Sequence, residues 1–267
     1  MKPNHDSSEA LVPVYVVHWN APDWCESTVR SLLESRGVRL DLMVIDNASE
    51  HLPELPPSVK LERLSSNRGF AGAANIALDL FRVRTDRSEI CVIACHDLRV
   101  APDALRYVVE AFHANPEYGI LGANGRPGPH GDGIADHDWV SGTCLALRRG
   151  CIEAVGSFDE RYGSYVEDID LCYRASALGW KVGIVERAAA SELGSANQKR
   201  AIIMTHGNHA LLDAKMGRYG AAARRVFGLA RRCVTNPRQL DIWAPSLFLA
   251  CRQLIRWATK RPPRASR

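Results

Sequence analysis

The chain has no apolar run approaching the roughly 20 residues that a bilayer-spanning helix needs, and aromatics make up only 7% of it. Its opening, Met1 to Ala10, is polar and carries Asp6 and Glu9. The apolar segment of a secretion signal is missing there, which predicts a cytoplasmic location. None of the eight cysteines belongs to a CxxC pair, so a zinc site of the usual spacing is excluded. Cys25, Cys91, Cys95, Cys144, Cys151, Cys172, Cys233 and Cys251 sit mostly inside apolar runs and read as reduced, packed thiols. A glycine-rich, basic phosphate loop is also absent from the amino-terminal region, which argues against nucleotidyl transfer.

Acid is scarce in the last quarter. From Lys199 onward 15 Lys and Arg face only Asp213 and Asp241, a charge of +13 within a net +4, so residues 1 to 198 carry −9. A net acidic body excludes an extended nucleic-acid surface. The basic tail instead suits anionic lipid or an anionic substrate. What the chain does have is 46% apolar and 24% charged residues over 267 positions, enough for one large α/β domain with an appendage.

Val12 to Val17 is apolar and β-branched, as a strand buried on both faces requires, and it ends at His18-Trp19-Asn20. A helix follows, with Asp23 as its cap and Val29, Leu32 and Leu33 at helical spacing. The pattern repeats: a strand Leu40 to Ile45 ends in Asp46-Asn47, one near Val59 to Leu64 leads to Asn67-Arg68-Gly69, a helix covers Ala71 to Phe81, and a strand Ile90 to Ala94 ends in Cys95-His96-Asp97. Strand and helix in alternation imply a doubly wound, mostly parallel sheet. Its carboxyl-end loops converge on one crevice, so His18, Asn20, Asp46, Asn67, Arg68, Gly69 and Asp97 are candidate ligand contacts. Gly122 to Gly133 is too rich in glycine for regular structure and reads as a flap.

Further on come a strand Thr143 to Leu147, a helix Arg149 to Val155 and an amphipathic helix Glu167 to Gly179. The composition then turns to Arg, Ala and long apolar residues, with helices predicted over Ala201 to Met216, Ala221 to Arg232 and Ile242 to Thr259. In the last of these Trp243, Leu247, Leu254 and Ala258 share one face, while Arg252, Arg256 and Lys260 form a basic stripe. Such a helix either lies in a membrane interface or docks on a protein core. The chain thus divides into a polar tail 1–10, an α/β domain 11–197 and a basic helical extension 198–267.

Two places could carry chemistry. Asp97 stands just past a buried strand, where a carboxylate suits a hard divalent cation bound to a diphosphate. Glu167, Asp168 and Asp170 crowd three carboxylates into a helix start. Unless a metal, an arginine or the helix dipole compensates, one of them titrates high, as a general base requires; plain capping of the helix fits the same residues.

Taken in order, Val14-Tyr15-Val16-Val17-His18-Trp19-Asn20, Val44-Ile45-Asp46-Asn47-Ala48-Ser49, Asn67-Arg68-Gly69-Phe70-Ala71-Gly72-Ala73-Ala74-Asn75, Asp97, Trp139-Val140-Ser141-Gly142, Gly156-Ser157-Phe158-Asp159-Glu160 and Glu167-Asp168-Ile169-Asp170-Leu171-Cys172-Tyr173-Arg174 resemble glycosyltransferase family 2, particularly its rhamnosyltransferase-like members. The resemblance implies a GT-A fold, a nucleotide-sugar donor, an inverting displacement, and a glycan or lipid-linked acceptor. It makes Asp46 the contact to a pyrimidine base, Asn67-Arg68-Gly69 the loop beside the nucleotide, Trp139 and Gly142 the acceptor-side wall, and Asp168, paired with Glu167, the base. Asp97 becomes a ligand of a divalent metal, Mg or Mn.

Two positions depart from the family pattern. Cys95 replaces the first acidic residue of the metal-binding run, so metal binding is either weak or dispensable. Ser191-Glu192-Leu193-Gly194-Ser195 stands where relatives place a histidine ligand, leaving Glu192, or His206 or His209, to serve. The expected activity is sugar transfer, with rhamnose or another deoxyhexose as the first donor to consider, at the inner face of a membrane if the tail docks there. The alternative is a degenerate domain of the same fold that binds nucleotide or glycan without transfer.

Overall fold

The structure is a computed structural model in which residues 11–86, 88–124, 131–194 and 198–259 are described. The chain forms two compact units, one of Met1–Gly163 with Glu167–Ser195 and one of Ser164–Val166 with Ala196–Arg267.

The first unit is built on nine strands: β1 (Leu11–His18), β2 (Arg39–Asp46), β3 (Lys60–Arg63), β4 (Ile90–Cys95), β5 (Leu98–Val100), β6 (Tyr118–Asn124), β7 (Ile134–Asp136), β8 (Cys144–Arg148) and β9 (Lys181–Glu192). They run in the order β3-β2-β1-β4-β8-β6-β9-β5, with β7 on the side of β9. The first half is parallel throughout, as the sequence pattern predicts. The second half is mixed: β8 is antiparallel to both β4 and β6, β9 is parallel to β6, and β5 and β7 are antiparallel to β9.

Period-two alternation in β1 explains why it is buried along nearly its whole length. Val12, Val14 and Val16 face Cys25, Val29 and Leu32 of α1 (Pro22–Leu33) and Leu105, Val108 and Phe112 of α3 (Ala104–Ala114). Tyr15 and Val17 face Ala74, Ala77, Leu78 and Phe81 of α2 (Gly69–Arg82), with Leu171, Cys172 and Ala175 of α5 (Glu167–Ala177) in the same core. Each Val, Leu or Phe among them contributes about 1.5–3 kcal/mol of burial free energy, the Ala methyls less. The short helix α4 (Arg149–Val155) completes this unit.

Three local expectations change. Asp23 does not cap α1: the cap position is Ala21, with no side-chain hydrogen bond, and Asp23 lies in the first turn, where it still complements the dipole. Leu33, expected on the buried face of α1, is 45% exposed. Gly122 to Asn124 is strand rather than loop, because Gly122 lets Val140 pack on β6; a Cβ there would lie 3.0 Å from Val140 Cβ. Residues 125–130 of the expected flap lie outside the described residues.

The second unit is helical: α6 (Gln198–Lys215), α7 (Tyr219–Thr235), a 3-10 turn Pro237–Gln239 and α8 (Leu240–Thr259). Ala210, Leu229, Trp243 and Ala250 form its core, with Val226, Leu247 and Leu254 packed against them. Three of the four residues of the apolar stripe on α8, Trp243, Leu247 and Leu254, therefore pack among helices, while Ala258, Arg252 and Arg256 are exposed and Lys260 lies outside the described residues. Among the described residues no helix is long and apolar enough to cross a membrane.

Candidate active site

Parallel pairing of β1 with β2 sets His18 opposite Asp46 at the strand ends. His18 Nδ1 lies 2.9 Å from Asp46 Oδ1, and His18 Nε2 accepts the Ala21 amide at 3.2 Å. The ring therefore carries its proton on Nδ1 and is neutral, and burial lowers its pKa. The Ser49 amide also donates to Asp46, and Arg63 Nε stands 3.5 Å from Asp46 Oδ2. Neither His18 nor Asp46 has exposed surface, so both order the crevice wall from beneath. Asn20, in the left-handed region at φ 48°, ties the loops together: its amide donates to Ser49 Oγ at 2.9 Å, and its Oδ1 accepts the Glu50 amide at 2.8 Å.

The loop after β3 is held by Asn47, whose Oδ1 accepts the Arg68 amide at 2.8 Å and whose Nδ2 donates to the Gly69 carbonyl at 3.0 Å. Asn67 Oδ1 accepts the Gly69 amide at 2.8 Å. Gly69 sits at φ +71°, and a Cβ there would stand 2.4 Å from the Gly163 carbonyl oxygen, so no other residue fits. Arg68 is half-exposed, with its guanidinium 2.8 Å from Glu160 Oε1. Glu160 in turn accepts Asn75 Nδ2 at 3.0 Å, and Asn75 and Arg68 hold its carboxyl below the ordinary range. Glu160 was not singled out from the sequence; only its place in the Gly156-to-Glu160 run marked it.

At the end of β4, Asp97 is half-buried, and pairing of β5 with β9 sets Leu98 opposite Glu192. Burial and then the charge of Glu192 push the Asp97 carboxyl up to about 6. Thr143 Oγ1 donates to Glu192 Oε1. Among the described residues no group of three or more His, Cys, Asp or Glu is placed to hold a metal ion. Asp97 and Glu192 nevertheless fit a hard divalent cation: both offer oxygen, and a cation would offset the repulsion that raises Asp97. His206 and His209 lie in the helical unit, His206 edge-on to Trp243 with ring centroids 5.5 Å apart and His209 Nδ1 2.8 Å from the Thr205 carbonyl of its own helix.

The helix α5 begins with Glu167 and Asp168. The Gly142 amide donates to Asp168 Oδ2 at 2.8 Å, and Oδ1 accepts the Ile169 amide at 2.9 Å. Glu167 is buried, its Oε2 has no hydrogen-bond partner among the described residues, and burial followed by the charge of Asp168 raises its pKa well above the ordinary range. Asp170 is a structural carboxylate, receiving Tyr162 Oη at 3.1 Å and Arg174 Nε at 2.8 Å. Trp139 is 44% exposed on the stretch that leads to Gly142.

Cys95 joins the two carboxylate pairs. Its thiol, raised by burial, feels the charges of Asp97, Glu167, Glu192 and Asp168, and it donates to the Gly142 carbonyl at 3.7 Å. The arrangement therefore sets a candidate cation pair and a candidate base pair about one thiol.

The model of glycosyl transferase family 2 matches residues 13–165, more than half of the chain. An N-acetylglucosaminyl-diphospho-decaprenol L-rhamnosyltransferase of Mycobacterium tuberculosis is 52% identical over 42 residues, which are 16% of this chain and 14% of that protein. Among solved structures, a mannosyltransferase from Pyrobaculum calidifontis in complex with GDP-Man and Mn2+ matches with a TM-score of 0.63 at 20% identity, over 96% of this chain and 77% of that one. TarS of S. aureus matches with a TM-score of 0.54 at 15% identity, over 74% of this chain and 39% of that one. The shared architecture is the GT-A fold.

Proposed function

Since the chain belongs to glycosyl transferase family 2 and is a glycosyltransferase, we propose that it inverts the anomeric centre while moving a sugar, with rhamnose or another deoxyhexose as the leading candidate, from a nucleoside diphosphate to a hydroxyl of a lipid-linked glycan. The acceptor hydroxyl loses its proton to Asp168 as its oxygen bonds to the anomeric carbon, and the bond to the diphosphate breaks on the opposite face. The single observation that carries this reading is the meeting of Asp168, fixed by Gly142, with the Asp97 and Glu192 pair around Cys95.

Glu167, whose carboxyl burial pushes well up, stands beside Asp168 at the helix start. Arg68 and the Asn67-Arg68-Gly69 loop, whose Arg68 and Gly69 amides are spent bracing the loop itself, face the nucleotide, on a wall stiffened by Asp46 with His18 and by Asn20. Trp139 and Gly142 form the acceptor side. A divalent cation, Mg or Mn, held by Asp97 and Glu192 would neutralise charge on the departing diphosphate.

The donor sugar and the lipid carrier rest on the name of the short decaprenol-linked match. A lipid-linked acceptor lies at a membrane surface, and the second unit suits one of anionic lipid: Phe227 and Val234 on α7 and Phe248 and Ile255 on α8 are 63–81% exposed beside Arg231, Arg252 and Arg256. Co-sedimentation with phosphatidylglycerol vesicles checks this; a Phe227→Ser/Phe248→Ser variant that partitions like the wild type contradicts it.

The transfer reading is tested by screening nucleotide sugars, with and without Mn2+, for nucleoside diphosphate release in the presence of a prenyl-diphosphate glycan. Turnover on one donor is the expected result. Nucleotide binding with no turnover on any donor favours the binding-only alternative, which the Cys95 substitution motivates.

A further inference from the structure

The turn that delivers the chain into α5 is strained. Tyr165 and Val166 have φ of 67° and 78°, a region that residues with a Cβ avoid and that a β-branched valine avoids most. Glu167 and Asp168 follow at once, so the direction in which the helix starts depends on this backbone.

The same unit supplies the groups that hold it. Asn208 on α6 has no exposed surface, and its Nδ2 donates to both the Ser164 and Tyr165 carbonyls at 2.9 Å. Its Oδ1 accepts Gln253 Nε2 of α8 at 3.2 Å, and Gln253 is 3% exposed. Two adjacent carbonyls bound by one amide fix the peptides on either side of Tyr165, which is where the unfavourable φ begins. A carboxamide is the group suited to this: it donates twice from nitrogen while its oxygen accepts from a second carboxamide. Burial makes the loss of either donor expensive to the local geometry.

We propose that Asn208, supported by Gln253, is a positioning residue for transfer, clamping the Ser164-to-Val166 turn so that Asp168 is presented in its reacting orientation. The inference rests on the reading of Asp168 as the base. It assigns a catalytic consequence to the helical extension, whose residues touch no reacting atom in that reading. A displacement of about 1 Å at a reacting group costs on the order of 100-fold in rate, and a released turn has ample freedom for that.

The test compares steady-state kinetics and nucleotide calorimetry for Asn208→Asp, which keeps the side-chain shape but replaces the double donor with oxygen. We expect kcat to fall at least about tenfold while donor KM and nucleoside diphosphate affinity stay within about twofold. Adding Tyr165→Gly, which adopts positive φ without strain, should recover kcat to within about threefold of wild type. Gln253→Glu, which removes only the supporting donor, should give a smaller loss with the same split, and it carries the test if Asn208→Asp does not fold by circular dichroism.

An unchanged kcat, or a parallel loss of nucleotide affinity and kcat that Tyr165→Gly does not relieve, overturns the proposal. Asp168→Asn is run alongside: if it abolishes turnover while the Asn208 and Gln253 variants retain kcat, the clamp fails and the base stands. If Asp168→Asn retains turnover, the underlying reading fails.

Discussion

The Gly142 amide and the Asp168 carboxylate meet at 2.8 Å, which joins the loop before β8 to the first turn of α5. With Oδ2 held there and Oδ1 on the Ile169 amide, the carboxylate plane is fixed before any acceptor arrives. Its neighbour is treated oppositely: Glu167 is buried with one oxygen unpartnered among the described residues.

That contrast separates the two acids. Glu167→Gln replaces a buried acid that favours its neutral form with a neutral isostere, so the fold should hold within about 1 kcal/mol in urea unfolding and kcat should fall less than about tenfold. A larger loss than Asp168→Asn shows would assign the base to Glu167.

Asp97→Asn should trade activity for stability. In the folded chain Asp97 titrates near 6, against about 3.9 when unfolded. Between those values the folded form holds more protons, so stability falls as pH rises through this window and the cost is complete above about 6. After allowance for solvent screening at this half-buried site the cost is roughly 1 kcal/mol. In chelator-treated buffer the asparagine variant should unfold at higher temperature than wild type at pH 7.5. The two should converge below about pH 4, and Mn2+ with nucleoside diphosphate should stabilise only the wild type. Scanning calorimetry across pH reads all three outcomes.

Gly69→Ala should be severe for its size. Alanine at φ +71° costs about 1–2 kcal/mol from the left-handed backbone alone, and its Cβ would meet the Gly163 carbonyl oxygen at 2.4 Å. A loss of at least about 2 kcal/mol in urea unfolding is expected, with weakened nucleotide binding. A neutral result would show that this loop does not need the Gly69 to Gly163 approach.

The parallel half of the sheet was legible because Val12 to Val17 is an unbroken apolar run and Leu40 to Ile45 is apolar but for Asp41, as strands covered on both faces require. The mixed half was not: β5 and β7 are three residues each, and β9 carries Gly183, Glu186 and Arg187, so periodicity has too little to act on. Asp46 and Asp168 stood out through the order of their motifs. That Asp46 is sealed against His18 depends on strand register, which no local pattern encodes. Glu192 lies beside Asp97 through the pairing of β5 with β9, and Asn208 reaches the turn before Glu167 from a helix whose polar and apolar residues follow no helical period that would mark one face.

The most direct measurement is Asp168→Asn, assayed for sugar transfer on the donor that turns over and, in parallel, for nucleoside diphosphate binding by calorimetry. Asparagine keeps an oxygen for the Gly142 amide but cannot take a proton, so turnover should fall by about 100-fold to 10,000-fold with nucleotide affinity within about twofold of wild type. Transfer at a rate near that of the wild type would contradict the assignment of Asp168 as the base.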